Sequence, residues 1–164
     1  MNNTVYETAA SAVCLLKDNG LTVSVAESCT GGLLSGYLTA VPGVSAVYEL
    51  GVTSYSCRIK NKILGVKEET LDAFGAVSEN TAREMAEGIR NNADSDIGLS
   101  VTGVAGPDSS EGHAPGLVFI AAASKNGVQV KKLNINPVSR ETVRETSVKA
   151  VLELLIKTVE EVTK

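Results

Sequence analysis

The residues of this sequence best suited to chemistry lie in Ala26–Gly32, which reads Ala-Glu-Ser-Cys-Thr-Gly-Gly. This stretch follows a short apolar run and precedes a helical pattern, so it predicts a turn between a strand and a helix. The first N–H groups of a helix lack partners within the helix and favour negative charge. A nucleophile beside such donors, here Ser28, Cys29 or Thr30, is the arrangement that acyl transfer needs, because the donors stabilise the oxyanion.

Gly31 and Gly32 complete this turn. They remove side chains where a ligand would have to approach the backbone, so they and the neighbouring Thr30 are candidate substrate-binding residues. An alternative interpretation of the same pattern is a helix N-cap followed by glycines that permit tight packing. Short glycine-rich turns serve both purposes, and both interpretations stand at this point.

A nucleophilic serine needs a base, and the sequence offers His113 and Lys60. His113, the single histidine, lies in a turn-rich loop without an adjacent carboxylate to orient it. Lys60 falls in the first turn of a short helix predicted over residues 56–65, where the helix dipole disfavours a cation. Partial burial there would lower its pKa further, as a lysine base requires. The alternative is a surface lysine between Arg58 and Lys62.

A second turn of small residues, Thr102–Pro107, follows another predicted strand. Ligands of open α/β sheets bind at the carboxyl ends of the strands. The segments that carry Ser28, Lys60 and Thr102 each follow a predicted strand. We therefore expect them to converge on one cleft.

Arg140 opens the last predicted helix, and Arg144 lies one turn later on the same face. Like charges at that spacing repel each other unless something anionic lies between them. A phosphate would suit this position, because guanidinium groups bind phosphates through paired hydrogen bonds. The alternative is pairing with Glu141, Glu145 or another nearby carboxylate, as is common on protein surfaces.

The elements that must position these residues alternate between the helix and strand patterns. Strands are predicted over residues 21–26, 47–55, 96–102, 116–124 and 128–135, and helices over 4–19, 33–41, 56–65, 78–91 and 139–162, with a possible helical turn at 70–74. Asn126-Gly127 is a strong hairpin signal between the last two strands. Five strands with helices between most of them predict an α/β layered domain, and the hairpin predicts a mixed sheet.

The amino-acid composition argues against several classes of function. The net charge is −4 with both signs well mixed, so no electrostatic footprint favours nucleic acid as a partner. No apolar run approaches the roughly 20 residues that cross a bilayer, and the N-terminus lacks a basic signal region. Three cysteines and one histidine match no zinc pattern, so we expect no metal and no cofactor. Free thiols in such a chain favour a cytoplasmic location.

Several motifs together resemble the CinA C-terminal domain, the nicotinamide mononucleotide deamidase family. They occur in order and with matching spacing over nearly the whole chain: Ala26–Gly32, Tyr55-Ser56 followed by Lys60, Gly75–Glu79, and Thr102–Pro107. The resemblance implies an α/β fold of the three-layer α/β/α sandwich type around a mixed five-stranded sheet. It implies that residues 1–164 form a single domain, without the additional N-terminal molybdopterin-binding-like domain of some members.

The resemblance also implies an activity, the hydrolysis of nicotinamide mononucleotide to nicotinate mononucleotide and ammonia in pyridine-nucleotide recycling. In this family the residue matching Ser28 is the nucleophile and the residue matching Lys60 is its base. The expected substrate contacts are Thr30, Gly31, Gly32, Tyr55, Thr102, Gly103, Ala105, Gly106 and Arg140. Members work without a metal and form homo-oligomers, so the expected partners are a small-molecule substrate and further copies of the chain.

The sequence departs from the family pattern at three places. Cys57 stands where Asn is usual, and Val138-Ser139 stand where Gly-Asp is usual. The loop 108–116 replaces a segment that usually runs through Gly-Gly to Lys-Pro-Val-Gly. These departures keep open two alternatives: a non-catalytic nucleotide-binding or regulatory homologue, and an amidase for another small amide.

Overall fold

The computed structural model describes residues 2–164, and within them five strands form one mixed sheet. The strands are β1 (Val23–Glu27), β2 (Tyr48–Thr53), β3 (Ile97–Gly103), β4 (Leu117–Ser124) and β5 (Gly127–Asn134). Their order across the sheet is β2-β1-β3-β4-β5. Strand β1 pairs in parallel with β2 and β3, whereas β4 is antiparallel to both of its neighbours. The predicted α/β class and mixed sheet are confirmed.

Helices cover both faces of this sheet. They are α1 (Asn3–Asn19), α2 (Leu33–Thr39), α3 (Cys57–Leu64), α4 (Glu68–Phe74), α5 (Glu79–Ala93) and α6 (Arg140–Val162). One apolar core joins α1, α2 and α6 to the sheet, and two smaller clusters lie on the face covered by α3, α4 and α5. The layers are therefore helix, sheet and helix, as the resemblance implied. Within residues 2–164, no helix combines the length and hydropathy that crossing a membrane would require.

Serine side chains cap the starts of α3 and α6, and a glycine ends α3. The side chain of Ser56 accepts the N–H of Ile59 at the start of α3, and Ser139 accepts the N–H of Thr142 at the start of α6. Gly65 ends α3 in the left-handed conformation with a φ of 68°. These local signals fix where α3 begins, and that start determines the depth at which Lys60 sits.

Several element bounds differ from the sequence prediction by one or two residues, among them those of α4, β5 and β1. The possible helical turn at 70–74 is a complete helix, α4, that begins at Glu68. The hairpin turn places Lys125 and Asn126 at its tip, and Gly127, with a φ of 106°, opens β5. Strand β1 runs one residue further than predicted, through the charged Glu27. An apolar pattern does not predict that a strand ends in a charged residue. Glu27 can belong to the strand because its carboxylate is buried and fully hydrogen-bonded rather than solvated.

Candidate active site

The parallel strands β1, β2 and β3 end at the same edge of the sheet, and the predicted convergence is found there. Helix α2, which follows β1, packs in the core with α1 and α6, whereas α3, which follows β2, lies with α5 on the opposite face. Neighbouring parallel strands whose helices leave to opposite faces open a crevice between them. Ser28 directly follows β1, and Lys60 lies in α3 just after β2.

A cavity of about 440 Å³ opens at this edge of the sheet. It is lined by Ser28, Cys29, Tyr55, Lys60, Ala76, Val77, Thr102, Gly103, Val104, Ala105, Gly106, Pro107, Asp108, Ser110, Glu111 and Arg140. Both predicted catalytic residues belong to this lining. So do six of the nine predicted substrate contacts: Tyr55, Thr102, Gly103, Ala105, Gly106 and Arg140.

Ser28 and Lys60 are in direct contact in the wall of the cavity. The Lys60 Nζ atom lies 2.9 Å from Ser28 Oγ and donates a second hydrogen bond, of 2.6 Å, to the carbonyl oxygen of Ser54. Both side chains are buried. A neutral lysine amine can keep its bond to Ser54 and use its lone pair to accept the Ser28 proton across the same 2.9 Å. The pair therefore has the geometry of a nucleophile and its base.

Burial governs the charge of Lys60. The side chain is inaccessible to solvent, and this desolvation lowers the pKa of Lys60 from its ordinary value of 10.5. Cys57, Cys29 and Glu111 oppose the shift to a lesser extent. Arg58 and Lys62, the basic residues on either side of Lys60 in the sequence, are exposed and are not among the causes of the shift. The interpretation of Lys60 as a surface lysine is wrong.

The buried carboxylate of Glu27 organises the turn that carries Ser28. It accepts the N–H groups of Gly32, Leu34 and Ser35 at 3.1, 3.0 and 2.9 Å, and the Ser35 hydroxyl at 2.7 Å. Glu27 thus satisfies the free amide groups at the start of α2 and meets the positive end of its dipole. Ser28 does not cap α2, whose N-cap residue Gly32 makes no side-chain hydrogen bond. The hydroxyl of Ser28 is left to face Lys60.

The backbone beside Ser28 offers hydrogen-bond donors. The N–H of Ser28 itself is bonded to the carbonyl of Val101. In the described part of the chain, the N–H groups of Cys29 and Thr30 bond to no oxygen acceptor. These two groups could stabilise negative charge on an oxygen near Ser28 Oγ. The thiol of Cys29 is a poor nucleophile, because burial raises its pKa to about 11 and keeps it protonated.

The second turn and the last helix form another wall of the cavity. Arg140 donates to the carbonyl of Gly106 at 2.6 Å and to the hydroxyl of Tyr55 at 2.9 Å. Its guanidinium group carries five N–H donors, so others remain free for a ligand. The hydroxyl of Thr102 donates to the carbonyl of Ala76 at 2.7 Å, which ties β3 to the segment before α5.

Other predicted residues lie behind the cavity rather than on its surface. Thr30, Gly31 and Gly32 do not belong to the lining, and their turn instead supports α2. Arg144 donates to the carbonyl of Thr30 at 2.6 Å and is likewise absent from the lining, so it does not share an anion with Arg140. His113 pairs with Ser110 in a β-bridge and does not belong to the lining of the cavity.

Glu111 is a charged lining residue that the sequence analysis did not propose for the site. Its carboxylate accepts the N–H groups of Ala76 and Val77 at 2.8 and 3.2 Å. No local signal marks this contact, because it joins loop segments 35 residues apart. Over residues 2–164, no group of three or more acidic, histidine or cysteine side chains is arranged to hold a metal ion.

Comparisons with known proteins place these motifs in one family. Residues 5–159 match the model of the CinA C-terminal domain. A protein of Acetivibrio thermocellus named for competence-damage induction is 53% identical over 125 residues, which are 76% of this chain and 30% of that protein. A protein of Bacillus subtilis with the same name is 45% identical over 88% of this chain and 35% of its own length. The chain thus spans about a third of the length of these relatives.

Several solved structures are similar to this fold over almost the whole chain. The competence/damage inducible protein CihA of Agrobacterium tumefaciens is 39% identical, with a TM-score of 0.89 over 93% of this chain and 94% of that one. The competence or damage-inducible protein of Enterobacter asburiae is 37% identical, with a TM-score of 0.92 over 96% and 99% of the two chains. The CinA superfamily protein KP700603 of Klebsiella pneumoniae is 30% identical, with a TM-score of 0.93.

Proposed function

The chain belongs to the CinA family, and we propose that it is an amidohydrolase that converts nicotinamide mononucleotide to nicotinate mononucleotide and ammonia. One observation carries the proposal. A buried lysine with a lowered pKa lies 2.9 Å from a buried serine hydroxyl in the wall of a cavity large enough for a small molecule. A nucleophile in contact with an activated base is the requirement for covalent hydrolysis of an unreactive amide.

The first half of the proposed reaction forms an acyl-enzyme. Neutral Lys60 takes the proton of the Ser28 hydroxyl as its oxygen attacks the carboxamide carbon. The negative charge that develops on the carboxamide oxygen is stabilised by the N–H groups of Cys29 and Thr30. The carbon–nitrogen bond then breaks, Lys60 returns the proton to the leaving nitrogen, and ammonia departs.

The second half regenerates the enzyme. A water molecule takes the place of ammonia, Lys60 removes one of its protons, and the resulting hydroxide attacks the ester carbon. The bond to Ser28 Oγ breaks, the serine recovers its proton from Lys60, and nicotinate mononucleotide leaves. Throughout the cycle the carbonyl of Ser54 holds the amine of Lys60 in one orientation through the 2.6 Å hydrogen bond.

Release of ammonia from nicotinamide mononucleotide tests the proposal directly. The purified chain should produce ammonia and nicotinate mononucleotide in equal amounts, measured by an enzyme-coupled ammonia assay and by chromatography. Binding of the mononucleotide without ammonia would favour the non-catalytic nucleotide-binding homologue. Failure to bind it, together with hydrolysis of a different amide, would favour an amidase with another substrate.

The 5′-phosphate of the substrate should depend on Arg140. This guanidinium group lines the cavity at the start of α6 and retains free donors. Replacing Arg140 with methionine should weaken binding of the mononucleotide by about 10- to 100-fold, the usual contribution of hydrogen bonds to a charged group. Binding of nicotinamide riboside, which lacks the phosphate, should hardly change. Titration calorimetry with both ligands measures the difference.

The matched control is Arg83→Met, which removes an arginine from the exposed side of α5, where it pairs with Glu79. It should leave the affinity for both ligands unchanged. Equal affinities of the wild-type chain for mononucleotide and riboside would show that the phosphate is not recognised. An equal loss for both ligands in Arg140→Met would show that this residue supports Tyr55 and Gly106 instead.

A further inference from the structure

Glu111 stands at the tip of a tight hairpin within the loop 107–116. Ser110 and His113 exchange two backbone hydrogen bonds, of 3.1 and 2.9 Å, so Glu111 and Gly112 are the two central residues of the turn. Their φ angles are 52° and 77°. A two-residue turn with both φ angles positive favours asparagine, aspartate or glycine at its first central position. Glutamate at this position therefore adopts a strained backbone conformation.

The turn positions the carboxylate of Glu111 against two consecutive backbone amide groups. Its Oε2 atom accepts the N–H groups of Ala76 and Val77. A Cβ atom at Gly75, where φ is 75°, would lie 2.6 Å from the same oxygen, so only glycine permits this approach. The other oxygen, Oε1, accepts no hydrogen bond from any residue between 2 and 164. The carboxylate is thus fixed by one oxygen and has the other available.

Two basic side chains, Lys60 and Arg140, and two acidic ones, Asp108 and Glu111, line the cavity from different segments of the chain. Arg140 contributes a cation from the start of α6, and Glu111 contributes an anion from the hairpin. Glu111 forms no ion pair within 4.0 Å in the described residues. Its charge reaches Lys60, whose pKa it raises slightly. A carboxylate without an ion-pair partner in the lining of the same cavity as Ser28 and Lys60 favours a positively charged group on the bound molecule.

We propose that Glu111 is a specificity-determining residue that selects substrates with a cationic ring next to the carboxamide. This inference rests on the proposed function, because it assigns a partner to the pyridinium of nicotinamide mononucleotide. The substrate has a cationic ring and an anionic phosphate, matching Glu111 and Arg140. In the product the neutral carboxamide has become a carboxylate, which the charge of Glu111 repels. The same residue therefore attracts the substrate and weakens retention of the product.

Two ligands that differ in ring charge test this role. Nicotinamide mononucleotide has a cationic ring, and its reduced dihydropyridine form has a neutral ring with the same ribose and phosphate. Binding of both is measured by titration calorimetry, in full-length chains that also carry Ser28→Ala to prevent turnover. Glu111→Gln keeps an oxygen acceptor for Ala76 and Val77 but removes the charge. It should weaken binding of the cationic ligand about tenfold and leave the neutral one unchanged, a ratio typical of one charge interaction.

Asp108→Asn is the matched control, because Asp108 also lines the cavity but makes no hydrogen bond to the 75–77 segment in the described part of the chain. It should change the ratio of the two affinities less than Glu111→Gln. An equal loss for both ligands in Glu111→Gln, or equal ratios in the two variants, would overturn the proposal. If the Ser28→Ala chain with Glu111 intact binds neither mononucleotide, the proposed function itself is wrong, and the role proposed for Glu111 is wrong as well.

Discussion

Replacing Ser28 with alanine should reduce amide hydrolysis roughly 10³-fold or more while the chain remains folded. This loss is expected when one member of a nucleophile–base unit is removed, because the remaining member cannot act alone. The fold should survive, since the turn is held by the bonds of Glu27 to α2 and not by the Ser28 hydroxyl. Ammonia release at saturating nicotinamide mononucleotide measures the effect, and thermal unfolding checks the fold.

The matched control for this prediction is Cys29→Ala. Cys29 is the adjacent potential nucleophile and also lines the cavity, but burial raises its pKa to about 11 and leaves it as a thiol at neutral pH. The alanine variant should retain most of its turnover. An active Ser28→Ala variant together with an inactive Cys29→Ala variant would assign the nucleophile to the cysteine.

Replacing Lys60 with methionine or arginine should reduce turnover by a comparable factor, roughly 10³-fold or more, because base and nucleophile act together. Methionine has a similar shape and no proton acceptor, and arginine keeps its charge and cannot accept the proton. In the wild-type chain the rate should rise with pH as Lys60 loses its proton and then level off. Because burial lowers the pKa of Lys60, this rise should lie below the ordinary value of 10.5.

The pH dependence of the free energy of unfolding provides an independent measurement of the pKa shift of Lys60. The unfolded chain keeps a proton on Lys60 up to a pH near 10.5, whereas the folded chain loses it at a lower pH. The unfolded state therefore binds more protons in that window, and the free energy of unfolding should rise with pH across it. Lys60→Met should be at least as stable as the wild type at neutral pH and should lack this rise. A Lys60→Met chain that kept its activity would assign the base to another group, with His113 the next to mutate.

Local signals predicted where Ser28 and Lys60 lie, whereas their proposed roles came from the family resemblance. The apolar run before Ser28 predicted a strand end, and Ser56 and Gly65 bounded the helix that carries Lys60. Each of these signals acts over a few residues, because strands, caps and helix ends are local structures. The parallel pairing of β1 with β2 then brings the two side chains together. Three local features of the sequence and the pairing of two neighbouring strands thus account for the contact between Ser28 and Lys60.

Contacts between distant loops could not be predicted in the same way. Arg144 was expected to share a phosphate with Arg140, but it donates to the carbonyl of Thr30, 114 residues away in sequence. Periodicity places a residue on a helix face but does not show which backbone oxygen it meets. The contact of Glu111 with Ala76 and Val77 could not be predicted either, because a residue at the tip of a hairpin belongs to no apolar pattern in the sequence.

The hydrogen bonds of Arg140 and Arg144, at the start of α6, determine when the cavity forms during folding. Through them a late segment of the chain holds Thr30, Tyr55 and Gly106, which precede it by 114, 85 and 34 residues. A ribosome that has released β1, β2 and β3 has released Ser28 and Lys60 but not the arginines of α6 that hold the cavity around them. Closing such long loops is slow compared with forming helices and hairpins. The cavity is therefore completed only after α6 has been synthesised, later than the strands β1, β2 and β3 at whose ends it lies.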